Sequence, residues 1–199
     1  MNDKIFTYKN MKYKTCPNVY EPAEDTFLLI DNLQLKKGIN VLEIGCGTGI
    51  VSLFASLNSN SVTCVDINKY ALDCCSNNIL LNKKENMKVI YSNLFSAFND
   101  EKFDLILFNT PYLPVEDNEL EDEYSLSWDG GEDGREVIDK FINKVGDYLT
   151  SNGTVQLVQS SLSNCQASLD LLKENGFSNL NTTSIHIFFE DIILITASR

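Results

Sequence analysis

Apolar residues make up 43% of this 199-residue chain, yet nowhere do they run unbroken for the roughly 20 positions that span a bilayer. The opening stretch, Met1 to Lys14, mixes Asp, Lys, Asn and Tyr and has no apolar core of its own, so it does not read as a targeting segment. Histidine is nearly absent: His186 stands alone, in a strand-like pattern that suits a structural role. Six cysteines, Cys16, Cys46, Cys64, Cys74, Cys75 and Cys165, include no C-x-x-C pair. No metal site of ordinary zinc-ligand spacing is available, and reduced thiols in a cytosolic or nuclear protein are expected. Basic residues are few, 16 against 28 acidic, for a net charge of −12. Such a field repels phosphate backbones and favours a basic partner surface, which argues against nucleic acid as substrate. No repeat or Gly/Ser/Pro-rich linker divides the chain, so residues 1–199 are expected to form one domain around one core.

What the chain does have is alternation. Ile39 to Ile44 reads as a first strand, ended by Gly45-Cys46-Gly47-Thr48-Gly49, after which Ile50, Val51, Leu53, Phe54 and Leu57 share one helical face. Ser61 to Asp66 reads as a second strand, Lys69 to Leu81 as a helix, Met87 to Tyr91 as a third strand and Phe103 to Phe108 as a buried fourth. Beyond a long acidic loop, Asn109 to Asp133, follow a helix from Gly134 to Leu149, a strand from Thr154 to Gln159 and a helix from Leu162 to Asn175 closed by Gly176. Ser178 to Phe189 and Asp191 to Ala197 complete the chain as an antiparallel hairpin. Ahead of the first strand, Glu21-Pro22-Ala23-Glu24-Asp25 opens a helix running to about Leu33, with proline in the first turn and acids at the positive end. The alternation predicts an α/β fold with a mostly parallel, doubly wound sheet.

Glycines at 45, 47 and 49 let the backbone turn tightly and approach a ligand closely. A dinucleotide turn needs its third glycine where Ile50 stands, and the Gly-Lys-Ser/Thr of a P-loop is missing. Glu43, just before the turn, would repel a pyrophosphate but suits a ligand with positive charge, and S-adenosylmethionine carries an ammonium and a sulfonium. Asp66, 17 residues past Gly49, is placed to accept from both ribose hydroxyls, with a helix cap before Asn68 as the bland alternative. Asn93 could accept from the adenine amino group, with Ile67 and Leu94 on the ring faces, or be an ordinary turn residue.

The most informative stretch is Phe108-Asn109-Thr110-Pro111-Tyr112, where a buried strand ends in an amide followed by a proline and an aromatic ring. The bland reading is a strand end and turn. In a doubly wound sheet, however, Asn109 falls at the carboxyl edge beside the first strand, where such sheets bind ligands. An NH₂ group donating to the Asn109 side-chain oxygen and to the Thr110 carbonyl would have its lone pair aimed at a methyl donor, with Tyr112 against the substrate plane. An uncharged acceptor fits an amide or nucleobase amine better than a lysine ammonium.

On these residues the chain resembles the HemK-like glutamine methyltransferases, in their short eukaryotic and archaeal form. The likeness covers nearly the whole sequence and rests on Val19-Tyr20-Glu21-Pro22-Ala23-Glu24-Asp25-Thr26, Glu43 to Gly49, Asp66, Asn109 to Tyr112, and Trp128-Asp129-Gly130-Gly131 with Gly134-Arg135-Glu136. It implies a Rossmann-like class I methyltransferase with a seven-stranded sheet, in which residues 1–38 cover the cofactor and 39–199 form the core. It further implies that Thr26, Glu43, Gly45, Asp66, Asn93, Leu94 and Asn109 contact S-adenosylmethionine, and that Asn109 with its neighbours holds a glutamine of the Gly-Gly-Gln loop of the class I translation termination factor. A small zinc-binding activator subunit, pairing with the edge strand Met87 to Tyr91, is implied for the short form, and too little chain precedes Ile39 for the helical substrate domain of the larger members. Two positions depart from the family pattern: Thr110 replaces a proline but keeps its carbonyl, and Asn93 replaces an aspartate, at a cost on the order of 1 kcal/mol of cofactor binding.

Three other readings compete. An adenine-N6 methyltransferase acting on DNA or RNA could use the same Asn-x-Pro-Tyr geometry, but no basic stripe accompanies it. A protein lysine methyltransferase is the second, and a catalytically dead scaffold of the same fold the third. Trp128 reads equally as core anchor or substrate rim, and Glu116, Asp117, Glu119, Glu121, Asp122 and Glu123 as a solvated run, whose functional alternative is to steer a basic target. Cys46, Cys74 and Cys75 are expected to act as small buried hydrophobes.

Overall fold

The computed structural model describes residues 4–112, 131 and 133–199. The expectations for Trp128, Asp129, Gly130 and the acids between 116 and 123 lie outside the described residues. A hairpin, β1 (Ile5–Tyr8) and β2 (Met11–Lys14), precedes α1 (Glu24–Asp31). Then come β3 (Asn40–Ile44), α2 (Ile50–Ala55), β4 (Ser61–Asp66), α3 (Lys69–Leu81), β5 (Met87–Tyr91), β6 (Phe103–Asn109), α4 (Glu136–Val145), β7 (Leu149–Ser160), α5 (Cys165–Glu174), β8 (Asn179–Ile187) and β9 (Glu190–Ser198). The large sheet has seven strands in the order β5-β4-β3-β6-β7-β9-β8. Strands β3 to β7 pair in parallel, and β9 and β8 return antiparallel, as the alternation and the final hairpin predict.

Side-chain alternation explains the unbroken apolar runs. Along β3 and β6, Val41, Leu105 and Leu107 enter the core shared with α1, α2 and α3, while Leu42, Ile44, Ile106 and Phe108 enter the core shared with α4 and α5. Strands covered on both faces have no solvent side to mark with polar residues. Asn109 is the last residue of β6, whose neighbour on one side is β3, with Ile44 opposite Phe108, and on the other β7, with Val158 opposite Asn109.

Several boundaries move for local reasons. Helix α1 starts at Glu24, where the Thr26 hydroxyl accepts from the Ala23 N–H at 3.4 Å. Helix α4 stops at Val145, because Gly146–Tyr148 tightens into a 3₁₀ turn and Leu149 is already strand. Helix α5 starts at Cys165 because Asn164, at φ +53°, caps it by accepting from the Ala167 N–H; Leu162 belongs instead to a separate 3₁₀ turn, Ser161–Ser163. The buried Arg135 explains the Gly134-Arg135-Glu136 motif structurally: its guanidinium donates to the carbonyls of Ser163 and Asn164 and pairs with Asp139, tying the start of α4 to the start of α5.

Two features depart from the sequence reading. The polar start of the chain forms the β1–β2 hairpin, which docks on α3 through two side-chain amides one turn apart. Asn78 accepts from the Lys14 N–H and donates to the Lys14 and Thr48 carbonyls; Asn82 accepts from the Lys12 N–H and donates to its carbonyl. These amides stand in for a neighbouring strand. Cys16 and Cys74 form a disulfide with Cα atoms 6.0 Å apart, correcting the expectation of six reduced thiols. Their 58-residue separation gives no hint of it, since only the docking of the segment after β2 onto α3 brings them together. Cys46 and Cys75 are buried as expected, and Cys64 is buried as well. No helix among the described residues is long and apolar enough to cross a membrane.

Candidate active site

A cavity of about 300 Å³ opens at the carboxyl ends of β3, β4 and β6. Of the predicted site residues, Thr26, Glu43, Gly45, Gly47, Asp66, Ile67, Asn93, Leu94, Asn109, Thr110, Pro111 and Tyr112 all stand on its wall. Gly49 does not. It starts α2 at φ +78°, and a Cβ there would lie 2.5 Å from the Cys75 sulfur, so this glycine serves close packing of the turn against α3. At Gly47 a Cβ would meet nothing within 4 Å, which leaves that backbone open to a ligand.

Two acids give the cavity its polarity. Glu43 is buried on β3 and accepts from the Ser52 hydroxyl on α2. Burial pushes its pKa up to about 8, the Ser52 bonds acting in the opposite direction. Asp66, at the end of β4, accepts from the Gly47 N–H at 3.0 Å and the Asn68 N–H at 2.9 Å. Burial raises its pKa too, with those N–H bonds opposing. The bland reading of Asp66 as helix cap fails, because Asn68 caps α3 by accepting from the Tyr70 N–H at 2.9 Å. Two carboxyls with spare oxygen lone pairs around the glycine turn suit a ligand with cationic and hydroxyl groups, and the rest of the wall is mainly apolar. That chemistry fits S-adenosylmethionine.

Leu94 lies at φ +48°, and the N–H of the exposed Asn93 donates to the Ser96 hydroxyl at 3.1 Å, so this turn is shaped by its own bonds. The Thr110 hydroxyl donates to the Val158 carbonyl at 2.7 Å, so its side chain is spent on the sheet and offers the cavity no new donor. The Tyr112 carbonyl accepts from the Ser163 hydroxyl at 2.8 Å, and a Cβ on Gly134 would come within 2.4 Å of that carbonyl. A bulkier residue at 134 would therefore displace the ring-bearing segment.

Sequence reading missed Asp25, which it treats only as an acid at a helix start. It is 4% exposed, and its Oδ2 accepts from Asn109 Nδ2 at 3.0 Å, the Tyr112 hydroxyl at 3.2 Å and the Tyr20 hydroxyl at 3.0 Å. Asn109 Oδ1 is buried and has no hydrogen-bond partner among the described residues. Tyr112 is held as the neutral phenol: burial raises its pKa strongly, and the Asp25 charge adds to it. The one available signal was its place in the Val19-to-Thr26 motif, since an acid in the first turn of a helix is otherwise accounted for by the helix dipole.

The methyltransferase small domain matches residues 11–124. A putative protein N5-glutamine methyltransferase of Methanocaldococcus jannaschii is 41% identical over 98% of this chain and 99% of its own length. The human methyltransferase HEMK2 is 35% identical over 84% of this chain and 83% of its own. Among solved structures, the E. cuniculi Mtq2–Trm112 complex, described as responsible for methylation of the eRF1 translation termination factor, matches with a TM-score of 0.72 at 26% identity, covering 92% of this chain and 99% of that one. With the acids, the glycine turn and the Asn109-to-Tyr112 segment all on one cavity, the chain belongs to the HemK-like family of S-adenosylmethionine-dependent protein N5-glutamine methyltransferases.

Proposed function

We propose that this protein methylates the side-chain amide nitrogen of the glutamine in the Gly-Gly-Gln loop of the class I translation termination factor. The observation that carries the reading is Asn109 Oδ1: a buried, uncharged acceptor without a partner among the described residues, on the wall of a cavity that fits the methyl donor. A buried carbonyl oxygen left unpaired costs about 1–3 kcal/mol, which a substrate NH₂ donor would recover. Glu43 and the Gly45 and Gly47 backbone would hold the amino-acid end of the cofactor, Asp66 the ribose, Asn93, Leu94 and Ile67 the adenine, and Thr26 would cover it. When bound, S-adenosylmethionine supplies an electrophilic methyl on its sulfonium. Asn109 Oδ1 and the Thr110 carbonyl accept from the glutamine NH₂, Pro111 stiffens the backbone just after them, and Tyr112 packs on the amide plane. Because Asn109 is neutral, it orients the nitrogen instead of deprotonating it: the nitrogen lone pair would form the new N–C bond as the sulfur–methyl bond breaks and the sulfur leaves as a neutral thioether, and the proton then lost from the methylated amide would pass to solvent.

A termination factor that docks on ribosomal RNA offers basic surface, and the charge of −12 suits it. The same charge disfavours the adenine-N6 reading, and the neutral acceptor disfavours lysine. A heterodimer with a small zinc-binding activator at β5 is supported by two features of this chain. Strand β5 is an edge of the sheet, and Tyr91 and Leu80 expose apolar surface on it and on the adjacent α3. The Mtq2–Trm112 relative is itself a complex of two chains. With that substrate, the proposed place of action is the cytoplasm, and also the nucleus, with the chain working as one domain.

The test is transfer of labelled methyl from the cofactor to termination factor carrying either Gln or Ala in its Gly-Gly-Gln loop, with and without the activator. Label on the Gln form alone is expected. Equal label on the Ala form, or preferential label on DNA, would overturn the assignment.

A further inference from the structure

We infer that Asp25 is the positioning residue of this site: by accepting from Asn109 Nδ2 it fixes which end of the Asn109 amide faces the substrate. The inference rests on the proposed amide methylation. An asparagine side chain ends in an oxygen and an NH₂ of nearly equal size, and a half-turn about its last bond exchanges them. In the wrong orientation the NH₂ of Asn109 meets the NH₂ of the substrate, donor against donor, and the lone pair of the reacting nitrogen loses its alignment. An ionised carboxylate can only accept. The 3.0 Å contact between Asp25 and Asn109 is therefore made by the NH₂ end, and Oδ1 is left for the substrate.

The carboxylate is itself held. Its other oxygen, Oδ1, accepts from the Thr26 N–H at 2.6 Å and the Thr26 hydroxyl at 3.2 Å, so the group cannot turn without breaking bonds at the start of α1. Five donors satisfy a charge that burial would otherwise penalise. Tyr112, the ring expected on the substrate plane, hangs from the same Oδ2 as Asn109. One carboxylate thus sets the relative placement of the acceptor and the aromatic wall. Two motifs 84 residues apart become one device, which accounts for an acid at the buried face of α1 where a helix start alone needs none.

The test compares Asp25→Asn and Asp25→Ala, in the full chain with its activator, with the wild type. Steady-state methyl transfer to the termination factor, calorimetric Kd for S-adenosylmethionine and the ¹⁵N side-chain resonances of Asn109, assigned by their loss in Asn109→Ala, are measured. Asp25→Asn preserves shape and keeps the test valid should Asp25→Ala fail to fold. A fall in kcat on the order of 100-fold, far larger than any change in cofactor Kd, is expected, together with movement of the Asn109 amide signals toward those of a solvated amide. The reciprocal pair Asp25→Asn with Asn109→Asp restores a donor–acceptor contact with an oxygen still facing the substrate, and should recover roughly tenfold over Asn109→Asp alone. Wild-type kcat in Asp25→Asn, unmoved Asn109 signals, or no recovery in the reciprocal pair would overturn the inference. If Asn109→Ala also keeps wild-type kcat, it is the underlying amide reading that fails.

Discussion

Glu43 carries the clearest consequence at the scale of single residues. It titrates near 4.5 when unfolded and near 8 when folded, burial being the main cause. The folded state therefore binds the proton more tightly, and the stability linked to Glu43 is fully present below pH 4.5 and lost as pH rises through about 8. The difference in unfolding free energy between cofactor-free wild type and Glu43→Gln should shrink across that window, at up to about 1.4 kcal/mol per pH unit; denaturant titrations at several pH values would measure it, and a flat difference would refute it. Gly49 and Gly47 make a second contrast. Gly49→Ala meets both a left-handed φ and a sulfur at 2.5 Å and should cost roughly 3 kcal/mol, whereas Gly47→Ala meets only the φ of +51° and should cost about 1 kcal/mol. Urea midpoints in the reverse order would reject that account. Glu43, the glycine turn and Asn109 were legible from the sequence because each needs a particular residue type at a strand end. Asp25 was not, because an acid in the first turn of a helix has an ordinary explanation in the helix dipole.

Among the elements, β4, β5 and α3 kept their expected bounds and β3 and β6 moved by one residue, because apolar runs and β-branched residues mark them; β7 instead runs from Leu149 to Ser160, well beyond the expected Thr154 to Gln159. The ends of α4 and α5 shifted, since 3₁₀ turns and left-handed caps such as Asn164 depend on what the next element does. The β1–β2 hairpin was not foreseen. Its strands are four residues each, and its docking depends on Asn78 and Asn82 of a helix more than sixty residues away. Asn78→Ala removes three hydrogen bonds to the Lys14 and Thr48 backbone and should lower stability by roughly 3 kcal/mol. Amide exchange should then quicken first in β2, the strand whose outer partner is lost; unchanged exchange there would show that the hairpin is held by its apolar side chains, Met11 and Tyr13, alone.

For the whole molecule, the charge of −12 acts at a distance. If the substrate is a basic termination factor, KM should rise severalfold between about 0.05 M and about 0.3 M salt while kcat holds, because screening weakens encounter and leaves the buried chemistry alone; a KM indifferent to salt would remove the steering role. Alternating strands and helices, the tight glycine turn without phosphate-binding signatures, and the Asn-x-Pro-Tyr strand end determined by themselves the sheet, the type of cofactor and the planar nitrogen, since each is a local pattern with a local physical cause. Tertiary structure alone decided that Cys16 meets Cys74, that Asn68 rather than Asp66 caps α3, that Gly49 packs instead of lining the cavity, and that Asp25 grips Asn109. Those contacts join segments far apart along the chain, and no spacing in a sequence encodes which way a side chain turns once the sheet has brought such segments together.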